Sequence, residues 1–300
     1  MYIGIDLGGT RVKAAAFDQS GVVLHEAVQP TQDGVKGADG KPVWAGAVKA
    51  VVAEMETTLG LRAEGIGLAA PGLVAKDQRS IAYQPGKLEG LEGFDWTRFL
   101  QRELKVPVLN DAHAALLGEA WRGAAAGRKD VVMLTLGTGV GGAILSDGRL
   151  LRGHLGRAGH LGHVSLDPNG APSIFGMPGS LEDEMGERTV RERCGGRFPS
   201  THTLVTACRA GDREATDVWL KSVRAVGVAL AGYINAFDPE MIIIGGGIAQ
   251  AGDALFIPLA KVLDEVEWRP AGHRVPIRSA QLGDAAGSCG AAWQAMQVNG

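Results

Sequence analysis

An apolar, β-rich run over Tyr2–Leu7 opens the chain and stops at Gly8-Gly9-Thr10. Extended character resumes over residues 11–18, Asp18-Gln19-Ser20-Gly21 reads as a turn, and residues 22–28 are again β-rich. This pattern predicts a three-stranded meander with a glycine turn at its first bend. Residues 29–43, rich in Gly, Asp, Pro and Lys, read as an exposed loop. Val48, Val51, Val52, Met55 and Leu59 then recur at helical spacing. A short buried strand is expected over 66–69, ending at Pro71-Gly72, with irregular chain over 86–93. A helix is predicted over 96–104, a strand over 106–109, and an Ala/Leu-rich helix from Asn110-Asp111 to about Trp121.

The opening pattern then returns. Val131–Leu136 reads as a strand ending in Gly137-Thr138-Gly139, residues 140–145 as the next, and Asp147-Gly148 as a hairpin turn into 149–152. Laid over the N-terminus, Gly8 falls on Gly137, and the order of strands and turns matches. An internal repeat outranks other signals in assigning a fold. Two strand-first halves imply an α/β protein of two similar lobes, each presenting its glycine bend to a shared central cleft. A third motif follows a helix predicted over 220–237: a strand over 241–244, Gly245-Gly246-Gly247, then a helix from about Ala251.

Composition narrows the functions. Lys+Arg 30 against Asp+Glu 33 leaves a net charge of −3, so neither a nucleic-acid nor a membrane partner is expected. Glycine, at 45 of 300 residues, is about twice its usual share. It is concentrated in short knots, where backbone must bend sharply or approach something closely. Three separated cysteines make no disulfide framework. The first residues lack a signal-peptide pattern, and the longest apolar run, 241–248, is too short to span a bilayer. A cytoplasmic protein is expected.

A glycine bend between strands exposes backbone N–H groups, which suits phosphate oxygens. Asp6, just before such a bend, could hold Mg²⁺ through water. One bend alone is as readily a tight hairpin turn. Two bends in matching positions, with residues 245–247 behind a buried strand, favour a nucleotide site.

These residues resemble a known family. Gly4-Ile5-Asp6-Leu7-Gly8-Gly9-Thr10 looks like the first phosphate motif of the actin-like ATPase superfamily, and residues 135–142 look like the second. Leu109-Asn110-Asp111 lies between them; Gly156 to His163 and Gly179-Ser180-Leu181-Glu182 follow. That order resembles the ROK-family sugar kinases of the bacterial glucokinase type, over essentially the whole chain. The resemblance implies two RNase H-like, actin-like lobes. They would comprise residues 1–111 with a C-terminal helix near 288–300, and residues 112–287, closing on substrate about hinges near Asp111 and Gly287. It implies ATP-dependent phosphorylation of a hexose, with Asp111 as the general base. By the residues alone, Asp111 could equally be the N-cap of the helix after it. The resemblance further gives Gly72, Asn110, His160, His163 and Glu182 to the sugar. It gives Asp6, Gly8, Gly9, Thr10, Gly137 and Thr138 to the phosphates and Mg²⁺, and Gly246 and Gly247 to the adenosine side. A homodimer is implied as well.

The chain departs from the family pattern twice. ROK kinases usually carry zinc on one His and three Cys, whereas the stretch Ser173 to Glu182 keeps the glycines and has no thiol. No structural zinc is therefore expected, and packing of Ile174, Phe175 and Met177, with Pro172 and Pro178, should hold residues 169–181 instead. His154, His160 and His163 lack the further ligands that zinc requires. Secondly, His160 stands where the family has a sugar-contacting Glu. An imidazole can donate as well as accept, and Arg157 is near in sequence, so a sugar with an acceptor on its C1–C2 edge is a candidate beside glucose. Alternatives are a ROK-type sugar-responsive regulator without its DNA-binding domain, an actin-like assembly or chaperone protein, and a kinase using polyphosphate. A regulator would carry an added N-terminal helix-turn-helix, whereas here a strand begins at Tyr2; an assembly protein would not need Asn110, Asp111 and Glu182.

Overall fold

The computed structural model describes residues 1–38 and 40–299. The chain forms two compact units, Met1–Gly127 with Leu150–Ala158 and Gln281–Gly300, and Arg128–Arg149 with Gly159–Ala280.

In the first unit, β1 (Tyr2–Leu7), β2 (Arg11–Phe17) and β3 (Val23–Pro30) form the meander. Then come α1 (Val43–Leu59), β4 (Gly65–Ala70), the small hairpin β5 (Leu73–Val74) and β6 (Ile81–Tyr83), α2 (Trp96–Phe99), β7 (Val108–Asn110) and α3 (Asp111–Arg122). The sheet order is β3-β2-β1-β4-β7, antiparallel through the meander and parallel from β1 to β7. Ile3, Ile5 and Leu7 of β1 are fully buried, as are Trp44, Val48, Val51 and Met55 of α1. The helix predicted over 96–104 lasts a single turn. Gln101 takes a left-handed backbone (φ 52°), Arg102 turns to a bidentate pair with Glu56 at 2.9 Å, and the Thr97 hydroxyl accepts the Val106 N–H. Those partners, and the ring cluster of Trp44, Phe94, Trp96 and Phe99, outweigh helix propensity.

The second unit repeats the plan with β8 (Val131–Leu136), β9 (Val140–Ser146) and β10 (Arg149–Leu150), at whose end the chain crosses to the first unit. It continues with α4 (Leu181–Met185), α5 (Val190–Arg193), α6 (Thr201–Arg209), α7 (Arg213–Phe237), β11 (Met241–Gly245), α8 (Asp253–Val266) and β12 (Ile277–Ser279). Its order, β10-β9-β8-β11-β12, matches the first sheet strand for strand. The turns differ by one residue, since Leu7 pairs with Val12 but Leu136 with Val140. Trp219, Val223, Val226 and Leu230 of α7 and Leu255 and Leu259 of α8 belong to the core against β8 and β11. Helix α7 starts earlier than the apolar pattern indicates, because the Asp212 carboxylate caps it by accepting the Ala215 N–H at 2.9 Å.

The last helix, α9 (Ala286–Asn299), belongs to the first unit. Gly4 of β1 and Gly67 of β4 are paired across the sheet, and α9 lies on the bare patch they make. A Cβ on Gly4 would overlap the Ser288 carbonyl, and one on Gly67 the Ala291 carbonyl. On its other side, α9 presses on α3, where a Cβ on Gly290 would overlap the Ala114 carbonyl. That contact keeps α3 in the first unit, so the division falls at residues 127/128 rather than 111/112. Buried Glu119 of α3 secures the same region: its carboxylate accepts N–H groups from Gln281 and Leu282 at 2.8 Å and from Ala124 at 2.7 Å. These are the segments by which the chain leaves and re-enters the unit.

Because the atoms facing Gly67 are backbone, they have little freedom to move aside. Gly67→Ala is expected to destabilise the protein by about 3 kcal/mol, read as a lower midpoint in urea unfolding. A loss below about 1 kcal/mol would show that α9 can shift away from the sheet without penalty.

Candidate active site

In the first unit the β1–β2 turn is closed by the Gly8 N–H donating to the Arg11 carbonyl at 3.0 Å. Thr31, fully buried just beyond β3, supports it from behind. Its hydroxyl donates to the Gly8 carbonyl at 2.7 Å and its N–H to the Thr10 carbonyl at 3.0 Å. Among the described residues the N–H groups of Gly9 and Thr10 have no protein acceptor, and both residues are exposed. Two adjacent free amides on an exposed turn form a cradle for an anion.

Asp6 sits half-buried one strand position before this turn, facing the first turn of α9 at Gly287. Burial, reinforced by the charges of Asp111 and Asp284 and opposed by Lys13, pushes its carboxyl up to about 7. Lys13 lies opposite Asp6 on β2 and pairs with Asp284 at 2.7 Å.

At the junction of β7 and α3, Asn110 and Asp111 divide two tasks. Asn110 is the N-cap: its Oδ1 accepts the N–H groups of Ala112 at 3.0 Å and His113 at 3.4 Å. Its Nδ2 donates to the Gly72 carbonyl at 3.1 Å. Gly72 holds φ 110°, and a Cβ there would lie 2.6 Å from the Tyr83 carbonyl oxygen. Asp111 is the first residue of the helix and is exposed, with Oδ1 2.8 Å from the Ala112 nitrogen. The neighbouring amide has thus taken the capping role that Asp111 might have filled.

In the second unit the turn at Gly137 and Thr138 is held from behind in the same manner. The Gly137 carbonyl accepts the Glu187 N–H at 2.9 Å and the Thr138 carbonyl the Arg188 N–H at 3.0 Å. The Thr138 and Gly139 N–H groups have no protein acceptor among the described residues. Glu182, buried at the start of α4, accepts the Val140 N–H at 3.0 Å and pairs with Arg188. Its carboxylate lies where a Cβ on Gly139 would be. Gly246 (φ 86°) brings the turn after β11 against the Leu136 carbonyl, and Gly247 opens the short helical turn behind it. The structure therefore brings Gly137, Thr138, Glu182 and Gly246 together in one unit. Asp6, Gly8, Gly9, Thr10, Gly72, Asn110 and Asp111 belong to the other.

His160 and His163 flank a short helical turn, Leu161–His163, in the second unit. The buried Tyr233 hydroxyl fixes that turn by donating to the Leu161 carbonyl at 2.5 Å. His163 meets the edge of the Phe175 ring at 4.8 Å. His154 belongs to the first unit. Among the described residues, no group of three or more His, Cys, Asp or Glu side chains is placed to hold a metal ion.

One expectation needs correction. Ile174, Phe175 and Met177 are 62%, 54% and 40% exposed, so apolar packing does not hold residues 169–181. Hydrogen bonds do. Ser173 donates its N–H to the Met177 carbonyl at 2.8 Å, and its hydroxyl oxygen accepts the N–H groups of Phe175 at 3.3 Å and Met177 at 3.2 Å. Gly179 closes the base by donating to the Ala171 carbonyl at 2.9 Å. Sequence reasoning also missed Thr31 and Tyr233. Neither lies in a motif, and their roles depend on strand pairing and helix placement.

Residues 2–298 match the model of the ROK family. The chain belongs to the ROK family. It is 33% identical to the glucokinase of Halalkalibacterium halodurans over 99% of this chain and 95% of that one. It is 30% identical to the N-acetylmannosamine kinase of Citrobacter koseri over 97% of each. Among solved structures, the ROK hexokinase from Thermus thermophilus matches with a TM-score of 0.84 at 33% identity, covering 99% of this chain and 98% of that one. The ROK glucokinase from Streptomyces griseus, in complex with glucose and AMPPNP, matches with a TM-score of 0.76 at 30% identity, covering 99% of each chain. The fold of this ROK protein is that of the actin-like ATPases.

Thr31→Val removes one buried hydrogen bond from the first glycine turn while keeping the shape of the side chain. It is expected to cost about 1–2 kcal/mol of stability and to weaken AMPPNP binding by roughly tenfold in calorimetry. Thr31→Ser should restore both. Unchanged AMPPNP affinity in Thr31→Val would separate this turn from the nucleotide.

Proposed function

We propose that this ROK protein transfers the γ-phosphoryl group of ATP to a hexose hydroxyl, with Asp111 as the general base. The observation that carries the reading is the division of labour at the start of α3. Asn110 caps the helix and bonds Gly72, so the exposed Asp111 carboxylate, whose Oδ1 also accepts the Ala112 N–H, keeps its Oδ2 available to a ligand. The glycine turn of each unit adds a feature suited to phosphate. Each offers two amides without protein acceptors while its carbonyls are bonded from behind, which suits the nucleotide phosphates.

Phosphoryl transfer asks mainly for positioning and neutralisation of charge. Asp111 would accept the proton of the attacking hydroxyl as the new P–O bond forms. Mg²⁺, when bound, neutralises charge on the phosphates. A single carboxylate suits that ion, which keeps most of its waters and takes phosphate oxygens as further ligands. Asp6 would hold it; in the protein alone this carboxylate has Asp111 and Asp284 as like-charged neighbours. Glu182 supports the second turn through Val140, and its reach to a sugar hydroxyl would require sharing the oxygen now paired with Arg188.

Replacing Asp111 with Asn keeps size and polarity and removes the base. Turnover with ATP and the best hexose is expected to fall by about 10²–10⁴ while sugar affinity changes little. Near wild-type turnover would remove Asp111 from that role. Running the assay with ATP and with polyphosphate tests the donor in the same experiment.

His160 favours a second reading of the acceptor, in which the sugar carries an acceptor group such as an N-acetyl carbonyl beside C1–C2. One of the relatives is an N-acetylmannosamine kinase, whose named substrate has that chemistry. A carboxylate at this position only accepts hydrogen bonds, whereas an imidazole N–H donates. His160→Glu is expected to raise kcat/KM for glucose and lower it for the N-acetyl sugar, by about tenfold each, as one polar contact allows. A wild-type protein that strongly prefers glucose would defeat this second reading and leave the first intact.

A further inference from the structure

The first unit contains a cavity of about 140 Å³ lined by the end of β5, by β7 and by residues 152–156. At roughly 30 Å³ for each water in the liquid, that is room for about five waters. Lys76, Gln78, His113, Arg152 and His154 contribute the polar side chains of its wall, and among the described residues no Asp or Glu lines it. Val74, Val108 and Leu109 make an apolar side. Gln78 is held in a left-handed backbone (φ 58°), with its N–H bonded to the Ala75 carbonyl and its carbonyl to the Val108 N–H. That wall is therefore preset.

The charges around this cavity are unbalanced. Arg152 is half-buried, and among the described residues no carboxylate lies within ion-pair distance of it. Burial lowers its guanidinium from the ordinary value. Lys105 nearby is also held below its ordinary value by burial and by Arg79 and Arg152, with Asp77 as the opposing acid. A cation taken partly out of water without a partner is costly, and an anion entering the cavity would relieve that cost.

We propose that this cavity binds a phosphate dianion, either free orthophosphate or the terminal group of a phosphate monoester. Two permanent cations, Lys76 and Arg152, match a dianion, and the fork of the guanidinium matches two phosphate oxygens. The cavity is wider than a halide needs, and its apolar side can accept the carbon frame of an ester. None of Gly72, Asn110 and Asp111 lines it, so the inference stands apart from the kinase reading.

The test is calorimetric titration of orthophosphate and of glucose 6-phosphate into the whole protein at low ionic strength. AMPPNP and glucose are kept at saturation, so that the glycine turns and sugar site are occupied. Orthophosphate is expected to bind one to one, and Arg152→Gln to weaken it by about ten- to a hundredfold. The exposed Lys76→Met should weaken it in the same direction and guards against a folding defect at Arg152. Turnover at saturating substrates should stay unchanged in both variants. Tighter binding of glucose 6-phosphate than of orthophosphate assigns the ester; equal or weaker binding assigns the free ion. No orthophosphate binding, or equal binding by wild type and both variants, overturns the site. A protein that shows no kinase activity yet binds orthophosphate through Arg152 would sink the kinase reading alone.

Discussion

The contact between α9 and the glycine patch of β1 and β4 is the constraint on which the first unit rests. Sheet and helix meet here through backbone atoms, because Gly4 and Gly67 are paired and neither carries a side chain. The same helix touches α3 through Gly290, so one element holds both the strand that carries Asp6 and the helix that begins with Asp111. Distances in such a contact are set by hard atoms rather than by adaptable side chains. It is a rigid way to position two carboxylates that lie far apart in sequence.

Both glycine turns follow a second rule. An amide can face a ligand only if the rest of its turn is already satisfied, since a loop with idle carbonyls would close on itself or take up water. In the first unit Thr31 supplies the missing donors, a hydroxyl and an N–H from a single residue. In the second, successive N–H groups of Glu187 and Arg188 do so, and Glu182 takes the Val140 N–H beside them. The repeat is therefore one of plan and not of parts. Strand order and turn position recur, whereas the supporting residues differ in type and place in the chain.

That distinction marks what could be read from the sequence. The meanders, the two bends and the strand before Gly245 were legible because each is local: alternating or continuous apolar runs broken by glycine. The last helix was harder. Its first half is buried around Gly287, Ser288, Cys289, Gly290, Ala291 and Ala292, so no polar face alternates with an apolar one. The predicted helix over 96–104 failed for a related reason, since its fate depends on Glu56 and Val106, partners outside the local pattern. Residues 173–177 misled in the opposite direction. Their apolar side chains suggested packing, but Ser173 organises the loop through its hydroxyl and leaves Ile174 and Met177 outside.

The pair Asn110-Asp111 shows how neighbouring residues of similar shape can serve different ends. Both can accept the first amides of a helix, and sequence alone assigns the cap to neither. Geometry decides it: Asn110 leaves β7 with an extended backbone, which aims its amide back across the helix terminus. Only an amide can also donate to Gly72 while it caps, because an ionised carboxylate has no hydrogen to give. Exchanging the two residues would therefore lose the Gly72 bond as well as moving the carboxylate. The order Asn then Asp is fixed by hydrogen-bond chemistry at the strand end, and the exposed charge of Asp111 is its consequence.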